Sequence, residues 1–352
     1  MKIFVNARFL TQPVSGVQRY GIECSRQIKK LYPDVVFVAP QNILHKDIAQ
    51  ELDVKITGVN TGHLWEQIDL PLYLFRKGGG ALFSPANTAP LLYGNNYFTI
   101  HDLAFYHHPE WNTKLFSVWY NFLLPRLARR SRYIFTVSET IREEIIKYYK
   151  ISPAKISVTY NGISTQMQAE ESPEYVKREK VILAVGTFSK RKNHQNLVKA
   201  FIESNVKDEY QLVIIGDKNR VFAESGLDES LLVNANIKIC DHLSSEELIR
   251  MYASAEVLVS LSVYEGFGIP VLEGLYSGCN VICSDINVYR ELYDGYVHFC
   301  DPYDINSIRA ALENVMNQKN TGKNPEALFE KYNYTRSGRV IIDQIMGSVQ
   351  AE

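Results

Sequence analysis

Short, unbroken apolar runs recur along this chain and constrain its fold more than any other feature. The first half carries IFV at 3–5, VVFVA at 35–39, ALFS at 81–84, YFTI at 97–100, YIFTV at 133–137 and ISVTY at 156–160. The second half carries VILAVG at 181–186, QLVIIG at 211–216, IKIC at 237–240, VLVSL at 257–261 and VIC at 281–283. Runs that do not alternate with polar residues suit strands buried on both faces. Helix-like segments lie between them, at 17–31, 138–149, 193–203, 244–253 and 270–276. Ser138 and Ser244 have the character of N-caps, and Ser244 with Glu247 also fits a capping box. Strand and helix alternating in this way predict parallel sheets in an α/β protein.

The alternation breaks once. Residues 164–180 read STQMQAEESPEYVKREK, polar and charged with a proline, and a new strand starts directly after them. This segment is the expected linker. At 352 residues the chain exceeds what one core usually serves. We therefore expect two doubly wound halves, 1–164 and 165–333, with a C-terminal helix over about 334–352 returning to the first. Hydrophobic content of 46% and charged content of 22% are ordinary for a globular protein. A net charge of −1 gives no field that would favour nucleic acid. No apolar run is long enough to span a bilayer, and MKIFVNARFL runs straight into a strand, so a cytoplasmic protein is expected. The five cysteines form no C-x-x-C pair and read as buried free thiols.

Open α/β sheets bind ligands at the carboxyl ends of their strands, so the residues that follow each strand matter most. After the first strand, Ser15-Gly16 precede a helix; Gly16 could present backbone N–H groups to an anion, or simply turn the chain. After YFTI come His101 and Asp102, which are either a capping pair or a donor and acceptor for a reacting oxygen. After VILAVG, which ends at Gly186, comes TFSKRKN. Its Arg191 and Lys192 precede a helix whose dipole they oppose, a poor choice for helix stability and a sound one for phosphate. Asp217-Lys218 and Asp241-His242 also follow strands and carry less weight.

The stretch YEGFGIPVLEG, 264–274, follows VLVSLSV. Pro270 suits a first helical turn, and Gly266 and Gly268 let the backbone approach a ligand. Glu265 then lies in the loop and Glu273 one turn into the helix. Carboxylates beside an anion site suit hydroxyl groups, which donate to them. A ligand with phosphates between two sets of hydroxyls is a sugar nucleotide.

These segments together resemble a retaining glycosyltransferase of family 4, similar to the mannosyl- and rhamnosyltransferases of bacterial polysaccharide synthesis. EGFGIPVLE resembles that family's E-x7-E motif, VGTFSKRKN its phosphate-binding strand end, SGVQRY its N-terminal glycine loop and TIHDL its histidine segment. The likeness runs over nearly the whole chain, with TVSETIREEI, YNGI and RELYDG in the expected order. One departure is Thr187, where many relatives carry an arginine directly after the strand's glycine.

The resemblance implies the GT-B architecture: two facing Rossmann-like domains, the first binding acceptor and the second a nucleotide sugar in an interdomain cleft. It implies that Glu273 contacts the ribose, Glu265 the donor sugar, and Arg191 and Lys192 the departing diphosphate. Backbone groups around Gly16, Gly186 and Gly266–Phe267–Gly268 would assist, with His101 near the transferred sugar. It implies no metal and no cofactor, retention at the anomeric carbon, GDP-mannose as the first donor and dTDP- or UDP-sugars behind it. The acceptor would be a saccharide or lipid-linked oligosaccharide of O-antigen or capsule synthesis.

Between Trp111 and Ser138 there is no acidic residue, whereas Lys114, Arg126, Arg129, Arg130 and Arg132 are basic and apolar residues interleave. Such a segment suits peripheral contact with the cytoplasmic face of the inner membrane, or a helix with a core face and a solvated basic end. Rival readings are a dehydrogenase, a sugar-nucleotide epimerase or phosphorylase of the same architecture, and a non-catalytic sugar-nucleotide-binding protein. The first lacks a G-x-G-x-x-G after its first strand. The last leaves Glu265, Glu273, Lys192 and His101 without work.

Overall fold

A computed structural model describes residues 2–169, 178–216, 236–241, 243–317 and 324–350. The chain separates into two compact units, residues 1–162 with 331–352, and residues 163–330. Each is built on a sheet whose pairings are all parallel.

The first sheet has the strands β1 (Ile3–Asn6), β2 (Val36–Ala39), β3 (Lys55–Ile56), β4 (Ala81–Ser84), β5 (Asn96–Ile100), β6 (Tyr133–Thr136) and β7 (Ile156–Val158). Their order across the sheet is β3-β2-β1-β4-β5-β6-β7. The chain winds outward from β1 on one side, then crosses back and winds outward from β4 on the other. The junction of β1 and β4 is therefore the switch point, where crossovers leave in opposite directions and open a crevice. The second sheet has β8 (Glu179–Val185), β9 (Gln211–Ile215), β10 (Ile237–Cys240), β11 (Ala255–Ser260), β12 (Asn280–Ser284) and β13 (His298–Cys300). Its order is β10-β9-β8-β11-β12-β13, so its switch point lies between β8 and β11.

Every residue of β4 and β5 is buried, as unbroken apolar runs require when helices cover both faces. In the second unit Ile182, Leu212, Ile214, Val257, Val259 and Ile282 of the sheet pack with Leu197, Val198 and Phe201 of the helix His194–Glu203. The helix starts follow their caps. Ser138 Oγ accepts from the Ile141 amide at 3.3 Å. Ser244 and Glu247 close a reciprocal pair at 3.2 and 2.8 Å, the capping box expected from the spacing. The helix Tyr334–Gln350 packs on the helix Gly16–Leu31 within the first unit.

The expected linker 164–180 is not uniform. Thr165–Ala169 is a short helix and Glu179 already opens β8, while 170–177 lie outside the described residues, as do Asp217, Lys218 and His242. Cys24, Cys240, Cys279, Cys283 and Cys300 are all free thiols.

Candidate active site

In the second unit, the residues expected to meet phosphate and sugar gather at the switch point. β8 is followed by Gly186, whose φ of +148° is one that side chains rarely adopt. A Cβ built there would lie 3.0 Å from Lys192 Cε, so the bare glycine lets the lysine stem fold across the strand end. Lys190–Lys192 form a single 3-10 turn, and Asn193, at a left-handed φ of 57°, redirects the chain into the helix His194–Glu203. That turn sends both cations toward the loop after β11.

Glu265 receives them. Lys192 Nζ donates to Oε1 at 2.6 Å, and Arg191 Nη1 lies 2.8 Å from Oε2. Arg191 also ties down the loop, donating to the Tyr264 carbonyl at 3.2 Å and accepting from the Val263 amide at 2.9 Å. Glu265 is only 9% exposed. Burial alone would raise its pKa, but the two cations outweigh that and hold the carboxyl near 2. The trio carries one negative and two positive charges, a net of +1 at a strand end.

The loop's shape is set by two tyrosines of the helix Asn287–Tyr293 that sequence reasoning did not find. Gly268 caps the helix Ile269–Tyr276 at φ 87°, and a Cβ there would meet Tyr289 Cε1 at 2.3 Å. Tyr293 donates its hydroxyl to the Gly268 carbonyl at 3.2 Å, and the Tyr289 hydroxyl lies 2.9 Å from Ser260 Oγ at the end of β11. Pro270 occupies the first turn of that helix and Glu273 lies buried along it. Gly266 is also buried. Phe267 was expected to assist through its backbone. Its ring is 3% exposed and stands edge-on to Tyr293 at 6.1 Å, so its side chain serves the core and only its backbone remains for a ligand. His194 is another residue not singled out. It is buried against Phe188 at 5.1 Å, and burial followed by the Lys192 charge lowers its pKa to about 4.

The remaining candidates lie in the first unit. His101 follows β5 and is buried, with its ring edge-on to Tyr20 at 4.9 Å. Its Nε2 lies 2.7 Å from the Pro85 carbonyl, which can only accept. The proton is therefore on Nε2, and Nδ1 is the acceptor. Burial lowers the pKa of this histidine, keeping it neutral near pH 7. Its amide donates to Asn87 Oδ1 at 2.8 Å. Gly16 is exposed as the first residue of a 16-residue helix, with Ser15 and Gln18 capping it. Its backbone φ is ordinary among the described residues, so no conformational need explains the glycine.

The fold is that of a two-unit α/β protein with charged side chains gathered at the switch point of each parallel sheet. Residues 166–334 match the family model described as Glycosyl transferases group 1, and residues 80–167 match Glycosyltransferase Family 4. The chain thus carries the domains of the group 1 and family 4 glycosyltransferases. It is 31% identical over 232 residues to the O-antigen chain mannosyltransferase RfbU of Salmonella typhimurium, covering 65% of this chain and 63% of that one. It is 28% identical over 228 residues to the O-antigen chain mannosyltransferase B of Escherichia coli, covering 60% and 58%. The matched stretches thus span about three fifths of these relatives. The structure of Anabaena HepE in complex with UDP and glucose superposes with a TM-score of 0.74 at 14% identity, over 99% of this chain and 100% of that one. That likeness supports the GT-B fold.

Proposed function

We propose that this protein transfers a hexose, mannose in the first instance, from a nucleoside diphosphate sugar to a saccharide acceptor of a surface polysaccharide, with retention and without a metal. The observation that carries the reading is the Arg191–Lys192–Glu265 trio at the switch point of the second sheet. Its net positive charge suits a diphosphate, and its carboxylate suits a sugar hydroxyl. The charge that builds on a departing diphosphate needs preorganised cations, and Arg191 and Lys192 supply them where other transferases use a divalent ion. Glu273, buried one turn into its helix, is assigned to the ribose. His101, neutral and with Nδ1 accepting, is assigned to a hydroxyl of the transferred sugar.

Mannose as the sugar rests on the two mannosyltransferase relatives; GDP is the first nucleotide proposed with it, and UDP- and dTDP-sugars come next. Thermal-shift measurement of the purified protein against GDP-, UDP- and dTDP-sugars tests the donor assignment. One of the three should raise the melting temperature; stabilisation by none would refute it. Transfer that persists in EDTA would support the metal-free reading, and its loss would overturn it.

We further propose that the first unit rests on anionic membrane and takes a lipid-linked acceptor. The helix Lys114–Arg130 leaves Leu115 and Val118 81% and 67% exposed, with Phe122 on the same face. A second exposed stripe, Leu64, Ile68, Leu72 and Phe75, recurs at helical spacing. The bases Arg126, Arg129 and Arg130 border the first stripe. No helix among the described residues is long and apolar enough to cross a membrane. Co-sedimentation with phosphatidylglycerol liposomes should fall in the Arg129→Glu, Arg130→Glu double variant; unchanged sedimentation would sink the membrane assignment.

A further inference from the structure

The switch point of the first sheet holds a second buried charge pair that the proposed donor chemistry does not use. Asn6 is the last residue of β1 and Ser84 the last of β4, and Asn6 Nδ2 reaches Ser84 Oγ at 3.4 Å. The same Nδ2 donates to Glu66 Oε1 at 2.8 Å, and Arg8 Nε donates to that same oxygen at 3.1 Å. Arg8 Nη2 donates to Thr88 Oγ1 at 2.7 Å. Glu66 lies in a π-turn, Trp65–Asp69, the kind of widened turn that gathers at functional sites. It is 1% exposed.

All of this support converges on one carboxylate oxygen. The other, Oε2, is buried and closes no hydrogen bond; it lies 3.5 Å from His63 Nδ1, itself buried without a hydrogen-bond partner. Beside His63 stand Trp119 at 6.3 Å and Tyr120 at 6.0 Å between ring centroids, and Trp119 Nε1 is a third buried polar atom with no partner. A buried polar atom left unpaired costs about 1–3 kcal/mol. Three such atoms on Glu66, His63 and Trp119, near a sheet's switch point, need a reason. Burial would raise the Glu66 pKa, but Arg8 first, then His63 and Thr88, draw it down to about 2, so the group is an anion.

We propose that Glu66 anchors a subsite for a neutral, polyhydroxylated sugar ring of the acceptor, Oε2 accepting a ring hydroxyl and the Trp119 indole N–H donating to another oxygen. The inference rests on the transferase reading above. Arg8 and Glu66 cancel in charge, so nothing here attracts a phosphate, and an ionised carboxylate repels one. A hydroxyl donates where a phosphate cannot. The rings of His63, Trp119 and Tyr120 supply apolar faces for the ring's C–H groups.

Glu66→Gln is the decisive variant. Asn6 and Arg8 both donate to Oε1, so the glutamine must keep its carbonyl oxygen there and turn its amide nitrogen to the Oε2 position. An acceptor for the ligand becomes a donor while the internal bonds survive. The probes are methyl α-glycosides of mannose, rhamnose, galactose and glucose, measured by saturation-transfer NMR and calorimetry, with GDP and UDP as controls. The wild type should bind at least one glycoside, Glu66→Gln should weaken it tenfold or more, and nucleotide affinity should stay within twofold. Trp119→Phe keeps the ring and removes the N–H, and should weaken the same glycoside about threefold; it decides the matter if Glu66→Gln does not fold. Glycoside affinity unchanged in both variants, or no glycoside bound by the wild type, overturns the proposal. If glycosides bind through Glu66 but no nucleotide binds the wild type, the transferase reading fails and the sugar subsite stands.

Discussion

Replacing Glu265 with glutamine should tighten the binding of GDP while crippling transfer. The carboxylate engages both cations, at 2.6 Å from Lys192 Nζ and 2.8 Å from Arg191 Nη1. The substitution keeps the shape and raises the net charge of the trio from +1 to +2. One unit charge about 6 Å from a phosphate acts with roughly 3 kcal/mol at an effective dielectric of about 20. Arg191 is a quarter exposed, and water with counter-ions removes more than half of that. A gain of about 1 kcal/mol remains, roughly fivefold in Kd. GDP carries no sugar, so nothing is lost by removing a group that would hold one. Transfer should nevertheless fall on the order of 100-fold, because the hydroxyl contact strengthened in the transition state is gone. Calorimetric titration of GDP and steady-state transfer assays read the two effects separately. GDP that binds Glu265→Gln no better than the wild type would refute the reasoning, since the carboxylate would then not compete with phosphate for the cations.

Lys192→Met works in the opposite sense: it takes the trio to net zero, and should weaken GDP about tenfold and lower kcat by roughly 100-fold or more, measured by the same two assays. Gly268→Ala should cost about 2–5 kcal/mol in urea unfolding, from a side chain forced to φ 87° and a methyl group driven into the Tyr289 ring; a loss under 1 kcal/mol would mean the loop can shift freely. Stability should also decline on acidification through His194. Its pKa falls from the ordinary 6.5 to about 4 on folding, so its contribution is full above about pH 6.5 and is lost as pH falls toward 4. That loss is on the order of 3 kcal/mol. Unfolding free energies at pH 7, 5.5 and 4.5 check it, and His194→Asn should flatten the curve over that window.

Much of this was legible in the sequence because strands buried on both faces leave unbroken apolar runs, and because caps and glycines are local signals. Ser244 with Glu247 and the Gly268-Ile269-Pro270 entry to a helix needed no knowledge of the fold. What was missed is short or long-range. β3 is two residues long and exposed, so it leaves no run to detect. The helical stretch around Glu66 has a π-turn and no side-chain cap, which blurs its period. Tyr289 and Tyr293 shape the Glu265 loop from more than twenty residues away in sequence, and only the sheet order brings them under it.

Glu66 and Glu265 show how one fold can make two different sites from the same device. Glu66 in the first unit and Glu265 in the second are both buried near a sheet's switch point, and each carboxyl is held near pKa 2 although burial alone would push it up. An unpaired buried charge would cost several kcal/mol, so a basic partner is obligatory in both. The difference is in the count. One guanidinium, Arg8, partners Glu66, with neutral Asn6 beside it, and the charges of Arg8 and Glu66 sum to zero. Arg191 and Lys192 together partner Glu265, and the sum is +1. A neutral pair with one unused oxygen selects a hydroxyl donor, whereas an excess cation selects an anion. The asymmetry is testable without knowing either substrate. Raising ionic strength from about 50 to 500 mM should weaken nucleotide binding severalfold and leave glycoside binding nearly unchanged, because screening acts on net charge. Equal salt sensitivity of the two ligands would contradict this division of labour.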